Sequence, residues 1–486
     1  MSPGYDHAAN LGFTRPIDAG CMFCHNGYPA GVRPDFAARA VWPPALPSGI
    51  DCQRCHGPGA DHVRLSGSGA APAAVRAAIV NPKRLAPGLA MDVCLQCHLQ
   101  TTSSPLPHAL RRFGKDAFSY RPGEPLTAHL LQFDHADGSA HEDKFEVNSA
   151  GYRLLQSACF RRSAGKLTCT TCHDPHAAQP VSTKACLQCH TAHPEPQRAD
   201  CFSCHMPKRR SQDAVHVVLT EHRILRRPPP GDLVAPLEEK REVYRGGIRF
   251  YQSYDLTAAD RSLYLGLALV TDGADVPLGI RLLREGMKQS ASVPVEARLG
   301  LARALAGQNQ PAAALAECRT VLTSRPALAS ARAECAKNLE KLGRDQAALE
   351  EYRRALADSP DLPAAALGIA RLSRNADEAI RASRVAEQSI VSRPEALNSL
   401  GNLLTGQKKL VEAQAALEQA LAIDPRLAEA ENNLGRVVAM QGDLASGLSH
   451  LERALALDAN FTEARFNRAQ VLQALGRDAE ALTEFA

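Results

Sequence analysis

The sequence predicts a mainly α-helical protein in two modules. A loop-rich, Cys/His-rich module is expected over residues 1–230, and a solenoid of helical repeats over 294–486. Residues 231–293 are expected to be a helical linker or a degenerate repeat. Three observations carry this. Of 15 Cys, 13 lie before residue 205, and of 17 His, 16 lie before residue 223. Alanine, leucine and glutamate dominate from residue 294 onward. A spacing of 34 residues recurs through the second half. A chain of 486 residues also exceeds what one hydrophobic core supports, so several domains are expected.

Charge follows the same division, with a net of +7 over residues 1–230 and −3 over the rest. The overall +4 is too mild to argue for a nucleic-acid partner. No uninterrupted apolar run reaches the length of about 18 residues that a transmembrane helix needs.

The first module is organised by Cys-x-x-Cys-His, which occurs six times: Cys21–Cys24–His25, Cys52–Cys55–His56, Cys94–Cys97–His98, Cys169–Cys172–His173, Cys186–Cys189–His190 and Cys201–Cys204–His205. Two thiols three residues apart on one turn can each add to a haem vinyl group. The His that follows is then held beneath the ring, where its imidazole binds the iron. Zinc is the bland alternative, since twelve thiols suffice for three four-Cys sites. Zinc has no use for a His after every second Cys. A disulfide framework is disfavoured because such vicinal pairs are poor long-range staples. The pattern predicts at least six covalently attached c-type haems.

Six haems leave roughly 35 residues each, too few for an ordinary apolar core. The interior is expected to be largely porphyrin, and haems packed so closely must nearly touch. Electron transfer through the module follows. Ten further His precede residue 230, enough to give every iron a second imidazole: His7, His62, His108, His129, His135, His141, His176, His193, His216 and His222. His62 follows the flexible run Gly57-Pro-Gly. His176 and His193 each lie three residues past a motif His, within reach of a neighbouring haem. His216 and His222 follow the last motif. Those five, with His108 and His7, are the candidate distal ligands. His129, His135 and His141 crowd one segment, and at least one of them is expected not to ligate.

The run Cys201-Phe-Ser-Cys204-His205-Met-Pro-Lys, followed by Glu221-His222-Arg-Ile, resembles motifs of pentahaem nitrite reductases. His56-Gly-Pro-Gly-Ala-Asp-His62 is similar to motifs of the tetrahaem cytochromes that serve hydroxylamine oxidoreductase. Together they resemble the multihaem cytochrome c superfamily, over residues 1–230. The resemblance implies an electron carrier, or alternatively a reductase or oxidase of a small nitrogen or sulfur compound with one open haem. No Cys-x-x-Cys-Lys occurs, which argues against the catalytic haem of the nitrite reductases. No Tyr here is assignable to the crosslink of hydroxylamine oxidoreductases.

Phe133–Phe145 is the longest motif-free stretch with His and carboxylates. It is read as a solvated acidic loop that supplies one distal His, in preference to a substrate pocket. Cys159 has no motif partner and is expected to be a buried free thiol. Arg226-Arg-Pro-Pro-Pro230 cannot continue a helix and is expected to end the module.

In the second half, Leu400-Gly401, Leu434-Gly435 and Arg468-Ala469 repeat at 34, as do Pro326, Pro360 and Pro394. Gly307, Gly343, Gly442 and Gly476 fall seven residues after that position or its equivalent. This resembles the tetratricopeptide repeat, with two antiparallel helices per unit. About five whole repeats are expected over 294–460 and a partial one over 461–486. Such arrays expose a concave groove, here expected to dock a redox partner protein. Cys318 and Cys335 read as small buried hydrophobes on adjacent helices that could let them pair. No phosphate loop, nucleophile elbow or His-Glu-x-x-His occurs.

Covalent haem attachment predicts a periplasmic or other extracytoplasmic location. A signal peptide would then be required. The first 30 residues contain no apolar stretch of that kind, so a fragment or a wrongly placed start is expected, and six haems is a lower bound.

Overall fold

The structure is a computed structural model that describes residues 19–28, 49–103, 106–177, 183–190, 200–238, 244–389 and 392–485. The described residues up to Ala304 form one compact unit and those from Leu305 a second. The first unit therefore runs past the Pro-rich segment at 228–230 that the sequence marks as a module end.

Short helices and a small sheet build the first unit. Helices α1 (Ala19–His25), α2 (Gln53–His56), α3 (Ala60–Gly67), α4 (Pro72–Ala77) and α5 (Pro87–His98) come first. Strands β1 (Ala109–Arg111) and β2 (Leu130–His135) follow, then α6 (Ala150–Leu155), α7 (Ala158–Arg162), α8 (Cys169–Cys172), α9 (Lys184–Leu187) and α10 (Cys201–His205). Strands β3 (Lys208–Arg210), β4 (Val218–Thr220) and β5 (Ile248–Phe250) precede the longer helices α11 (Ala258–Thr271) and α12 (Val276–Gln289).

The sheet order is β1-β2-β5, antiparallel throughout, with Leu110 opposite Leu131 and Asp134 opposite Arg249. Strands β3 and β4 form a separate hairpin. Leu131 and Phe133 of β2 are fully buried, among Leu106, Ile248, Tyr254, Tyr264 and Leu269. Tyr264 of α11 stacks on Phe113 at 3.9 Å, and its hydroxyl accepts from the Phe113 amide at 2.6 Å. A second apolar cluster joins Phe23, Met91, Leu95, Tyr120, Leu126 and Tyr152.

These clusters correct two expectations. The unit has conventional apolar cores, because the motif-free stretch between the third and fourth motifs supplies its own Leu, Phe and Tyr. Phe133–Phe145 is a solvated acidic loop only in its middle, where Asp137, Glu142 and Asp143 are exposed; at its ends Phe133, Asp134, His135, Lys144 and Phe145 are buried. Residues 231–293 are helical only in part, since β5 closes the sheet before α11 begins.

Helices α13 (Val295–Gly307), α14 (Pro311–Ser324), α15 (Ala329–Lys341), α16 (Asp345–Asp358), α17 (Pro363–Leu372) and α18 (Ala376–Glu387) follow. The series ends with α19 (Arg393–Gly406), α20 (Leu410–Ile423), α21 (Ala428–Met440), α22 (Leu444–Leu457), α23 (Thr462–Ala474) and α24 (Asp478–Phe485). From α15 onward successive helices pack as pairs, and each pair packs on the next. The second unit is a right match to the predicted solenoid of helical repeats. Asp443 and Asn375 cap their helices by accepting from Ser446 N and Glu378 N, at 3.0 Å each. The Leu-Gly position is small because helices cross there: a Cβ on Gly435 would lie 2.8 Å from Leu451 Cγ and 2.9 Å from the Gly447 carbonyl oxygen.

Side-chain amides link successive repeats. Asn433 Nδ2 donates to Asn398 Oδ1 at 2.9 Å, and Asn467 Nδ2 to Asn432 Oδ1 at 2.8 Å. Cys318 of α14 and Cys335 of α15 are buried and disulfide-bonded. Among the described residues no helix is long and apolar enough to cross a membrane.

Candidate functional site

Every Cys-x-x-Cys-His lies on or at the end of a short helix: α1, α2, α5, α8, α9 and α10. Residues at i and i+3 share a helix face, which sets both thiols of a motif on one side. The turn then closes onto the histidine. The amides of His56, His173 and His190 donate to the carbonyls of Cys52, Cys169 and Cys186, at 2.9, 2.9 and 3.0 Å. Polar side chains start these turns. Asp51 Oδ1 accepts from Gln53 N at 3.1 Å, and Asp200 Oδ1 accepts from Phe202 N at 3.1 Å and Ser203 N at 3.2 Å.

The motifs approach one another. The Cys97 thiol is held below its ordinary value, first by a hydrogen bond with Cys24 and then, against burial, by the Arg54 guanidinium. Cys94 is raised by a hydrogen bond with Cys169 and by burial. Cys186 is raised by burial and by the nearby Cys201 and Cys172. Among the described residues Cys52, Cys55, Cys94, Cys97, Cys169, Cys172, Cys186, Cys189, Cys201 and Cys204 of the motifs form no disulfide, nor does half-buried Cys159. A largely apolar cavity of about 220 Å³ opens beside Thr168, walled by Met91, Leu95, Leu126, Leu155 and Phe160.

Two pairs of imidazoles face each other. His56 and His176 have ring centroids 5.8 Å apart and planes 25° from parallel. His173 and His222 have centroids 6.2 Å apart and planes 20° from parallel. With metal–nitrogen bonds of about 2 Å and roughly 1 Å from nitrogen to ring centre, two imidazoles across one metal ion stand about 6 Å apart. Each pair joins a motif His to a predicted distal His.

The ring nitrogens are also assigned by their neighbours. A carbonyl oxygen only accepts, so a ring nitrogen against one must carry the proton. Nδ1 of His56 lies 2.7 Å from Val80 O, Nδ1 of His62 lies 2.8 Å from Val75 O, and Nδ1 of His222 lies 2.9 Å from Thr220 O. Their Nε2 atoms then carry the lone pair a metal needs. Nδ1 of His205 likewise lies 2.6 Å from Leu225 O. Burial lowers the His222 pKa, the Thr220 carbonyl opposes that shift, and His173 and His98 lower it further. His98, His173 and His222 therefore converge.

Other histidines are sorted differently. His129 is buried and fully used, with Nε2 2.7 Å from Glu124 Oε2 and Nδ1 3.1 Å from Ser119 Oγ. His135 and His141 stack with centroids 4.3 Å apart, too close for a metal ion between them. His135 is buried and its pKa falls to about 3, chiefly by burial. His108 and His216 are exposed, as are His173 and His176, but neither faces a second imidazole among the described residues; His108 lies just before β1 and His216 in a turn before β4. His25 and His190 are exposed at the ends of their motifs. His7, His193 and the Cys21 side chain lie outside the described residues.

The facing imidazole pairs would fit a haem iron. Among the described residues no group of three or more His, Cys, Asp or Glu side chains is arranged to hold a bare metal ion. Paired imidazoles supply two bonds, which matches an iron whose other four bonds go to a porphyrin.

Beneath the second pair lies a buried charge network that the sequence did not reveal. Arg153 Nε donates to Glu221 Oε1 at 2.9 Å and Nη2 to Oε2 at 2.5 Å. Arg153 Nη2 also reaches Asp143 at 3.0 Å, and Arg209 reaches both Asp143 and Glu221 at 2.9 and 3.3 Å. The only sequence hint was the Glu immediately before His222.

A model of the tetratricopeptide repeat family matches residues 394–427, which are helices α19 and α20 with their connections. Among solved structures, the chain is similar to the Cut9–Hcn1 hetero-tetramer of the APC/C, at 16% identity over 44% of this chain, with a TM-score of 0.40. The match spans 43% of that chain, less than half its length. It is also similar to PilW, a type IV pilus biogenesis factor, at 21% identity over 39% of this chain and 90% of that one, with a TM-score of 0.36. Pseudomonas aeruginosa PilF gives 16% identity over 39% of this chain and 88% of its own, with a TM-score of 0.35. No curated protein matches the chain.

Proposed function

We propose that the first unit is a multihaem c-type cytochrome that relays electrons outside the cytoplasm, and that the tetratricopeptide array docks its redox partner. The observation that carries this reading is the pair of facing imidazoles, His56 with His176 and His173 with His222, at centroid separations of 5.8 and 6.2 Å. Bound haem would supply a one-electron iron couple, which His56 with His176 and His173 with His222 would hold. The chain's own part is to attach, orient and shield. Twelve thiols on six short helices would form the thioethers. Val80 O and Thr220 O fix the tautomers of His56 and His222, and the apolar side chains around Met91 and Phe160 exclude water.

Two further features support the reading. The Cys318–Cys335 disulfide suits an oxidising compartment, where c-type haem attachment also occurs. Tetratricopeptide repeats present a concave surface to protein partners, so the second unit is suited to bring a donor or acceptor to the haems.

The test is a pyridine haemochrome assay on the full chain made with a cytochrome c maturation system. About six haems per chain are expected from six motifs. Fewer than about four would overturn the reading.

A further inference from the structure

We propose that the buried ion pair between Arg153 and Glu221 is a positioning device that aims His222 at its iron. The proposal rests on the ligand reading above. Arg153 and Glu221 are each 1% exposed. Removing two charges from water costs several kcal/mol, and well-packed apolar residues are often as stabilising as a buried ion pair. A pair kept in such a place therefore asks for a geometric task. The fork of Arg153 sets the plane of the Glu221 carboxylate through two parallel hydrogen bonds.

That carboxylate in turn fixes the chain around His222. Glu221 Oε1 accepts from the Arg223 amide at 2.8 Å, so one side chain ties the residues on both sides of the ligand. The Glu221 amide donates to Pro207 O at 3.0 Å. Ser157, at the start of α7, donates through Oγ to the His222 carbonyl at 3.4 Å and accepts from the Ile224 amide at 2.8 Å. With Nδ1 held by Thr220 O, neither the backbone nor the ring of His222 is free to turn. Asp143 and Arg209 complete a network of two cations and two anions. Its formal charge is zero, which leaves the placing of the imidazole as its chief effect.

The test uses the full chain matured with haem, as wild type, Glu221→Ala, Glu221→Gln, His222→Ala and the Glu221→Ala/His222→Ala double variant. Haem per chain is counted, and carbon monoxide bound by the dithionite-reduced protein is titrated, because only an iron that has lost an axial ligand takes it up readily. Spin state is read by electron paramagnetic resonance. All variants should keep the wild-type haem count, since the thioethers do not involve either residue. His222→Ala should bind about one more carbon monoxide per chain than wild type. Glu221→Ala should open the same iron, in full or in large part, and millimolar imidazole should return it to low spin. The double variant should match His222→Ala, because two changes acting through one ligand are not additive. If Glu221→Ala fails to mature, Glu221→Gln keeps the shape while weakening the fork, and should open the iron in part.

A matured Glu221 variant that stays low-spin and binds no extra carbon monoxide, while His222→Ala opens an iron, overturns the positioning role alone. A double variant that opens a second iron does the same. If His222→Ala itself opens no iron, the ligand assignment fails, and the positioning role with it, whatever the haem count.

Discussion

At the scale of single residues, Glu378 and Gly435 show how local chemistry sets stability in the repeat unit. Arg353 of α16 pairs with Glu378 of α18 through two hydrogen bonds of 2.7 Å each. The pair and the Ser373 hydroxyl hold the Glu378 carboxyl well below its ordinary value, at about 2. A carboxyl with a depressed folded pKa contributes stability above its unfolded pKa, and that contribution is lost as pH falls through the folded value. Both partners are part-exposed, so the contribution is modest. Arg353→Gln should cost about 0.5–1 kcal/mol at pH 7. Urea unfolding at several pH values should show the deficit unchanged down to about pH 4.5 and closing as the pH nears 2. A deficit that ignored pH would assign the effect to lost packing.

Glycine makes the opposite point. Gly435→Ala would drive a methyl group against Leu451 and the Gly447 backbone, at a cost of about 1–3 kcal/mol. Gly406, at the end of α19, has nothing within 4 Å of a Cβ. Gly406→Ala should instead stabilise by about 0.4–1 kcal/mol through the unfolded chain. Thermal unfolding of the two variants should move in opposite directions. The sequence made the first glycine legible by its recurrence at 34. It did not reveal His129, whose buried bonds to Glu124 and Ser119 depend on a fold that composition does not encode.

At the scale of elements, periodicity was the strongest signal. A repeat must bury the same face against its neighbour each time, so small and apolar residues recur in register and five helix pairs could be read from residue 294 onward. What links the pairs was less visible. The Asn433–Asn398 and Asn467–Asn432 contacts join residues 35 positions apart, and no single repeat announces them. The Cys318–Cys335 link joins α14 to α15 at a sequence separation of 17. Closing a loop of that size should stabilise by about 3 kcal/mol. Cys318→Ala/Cys335→Ala should lower the urea midpoint accordingly, and reductant should lower that of the wild type but not of the double variant. Equal midpoints with and without reductant would mean that the bond is not formed in solution. In the first unit, β2 and the buried ends of the Phe133–Phe145 segment escaped the sequence reading, because charged residues in a run read as solvent-facing. Their burial depends on partners more than 60 residues away, such as Arg249 against Asp134 and Gln212 against Phe145.

At the scale of the whole molecule, the two units differ in what holds them together. The repeats are sustained by apolar contact between neighbours, whereas the first unit combines small apolar clusters with a buried ion pair and paired imidazoles. His173 and His176 stand out there, because they sit three residues apart and face different partners, His222 and His56. Three residues of chain span no more than about 11 Å. Under the proposed ligation, one short peptide would then grip two irons directly. The gap an electron must tunnel between those two centres would be set by covalent bonds rather than by packing. Breathing of the surrounding loops would leave that hop almost unchanged, while slower motions governed the arrival of electrons from elsewhere.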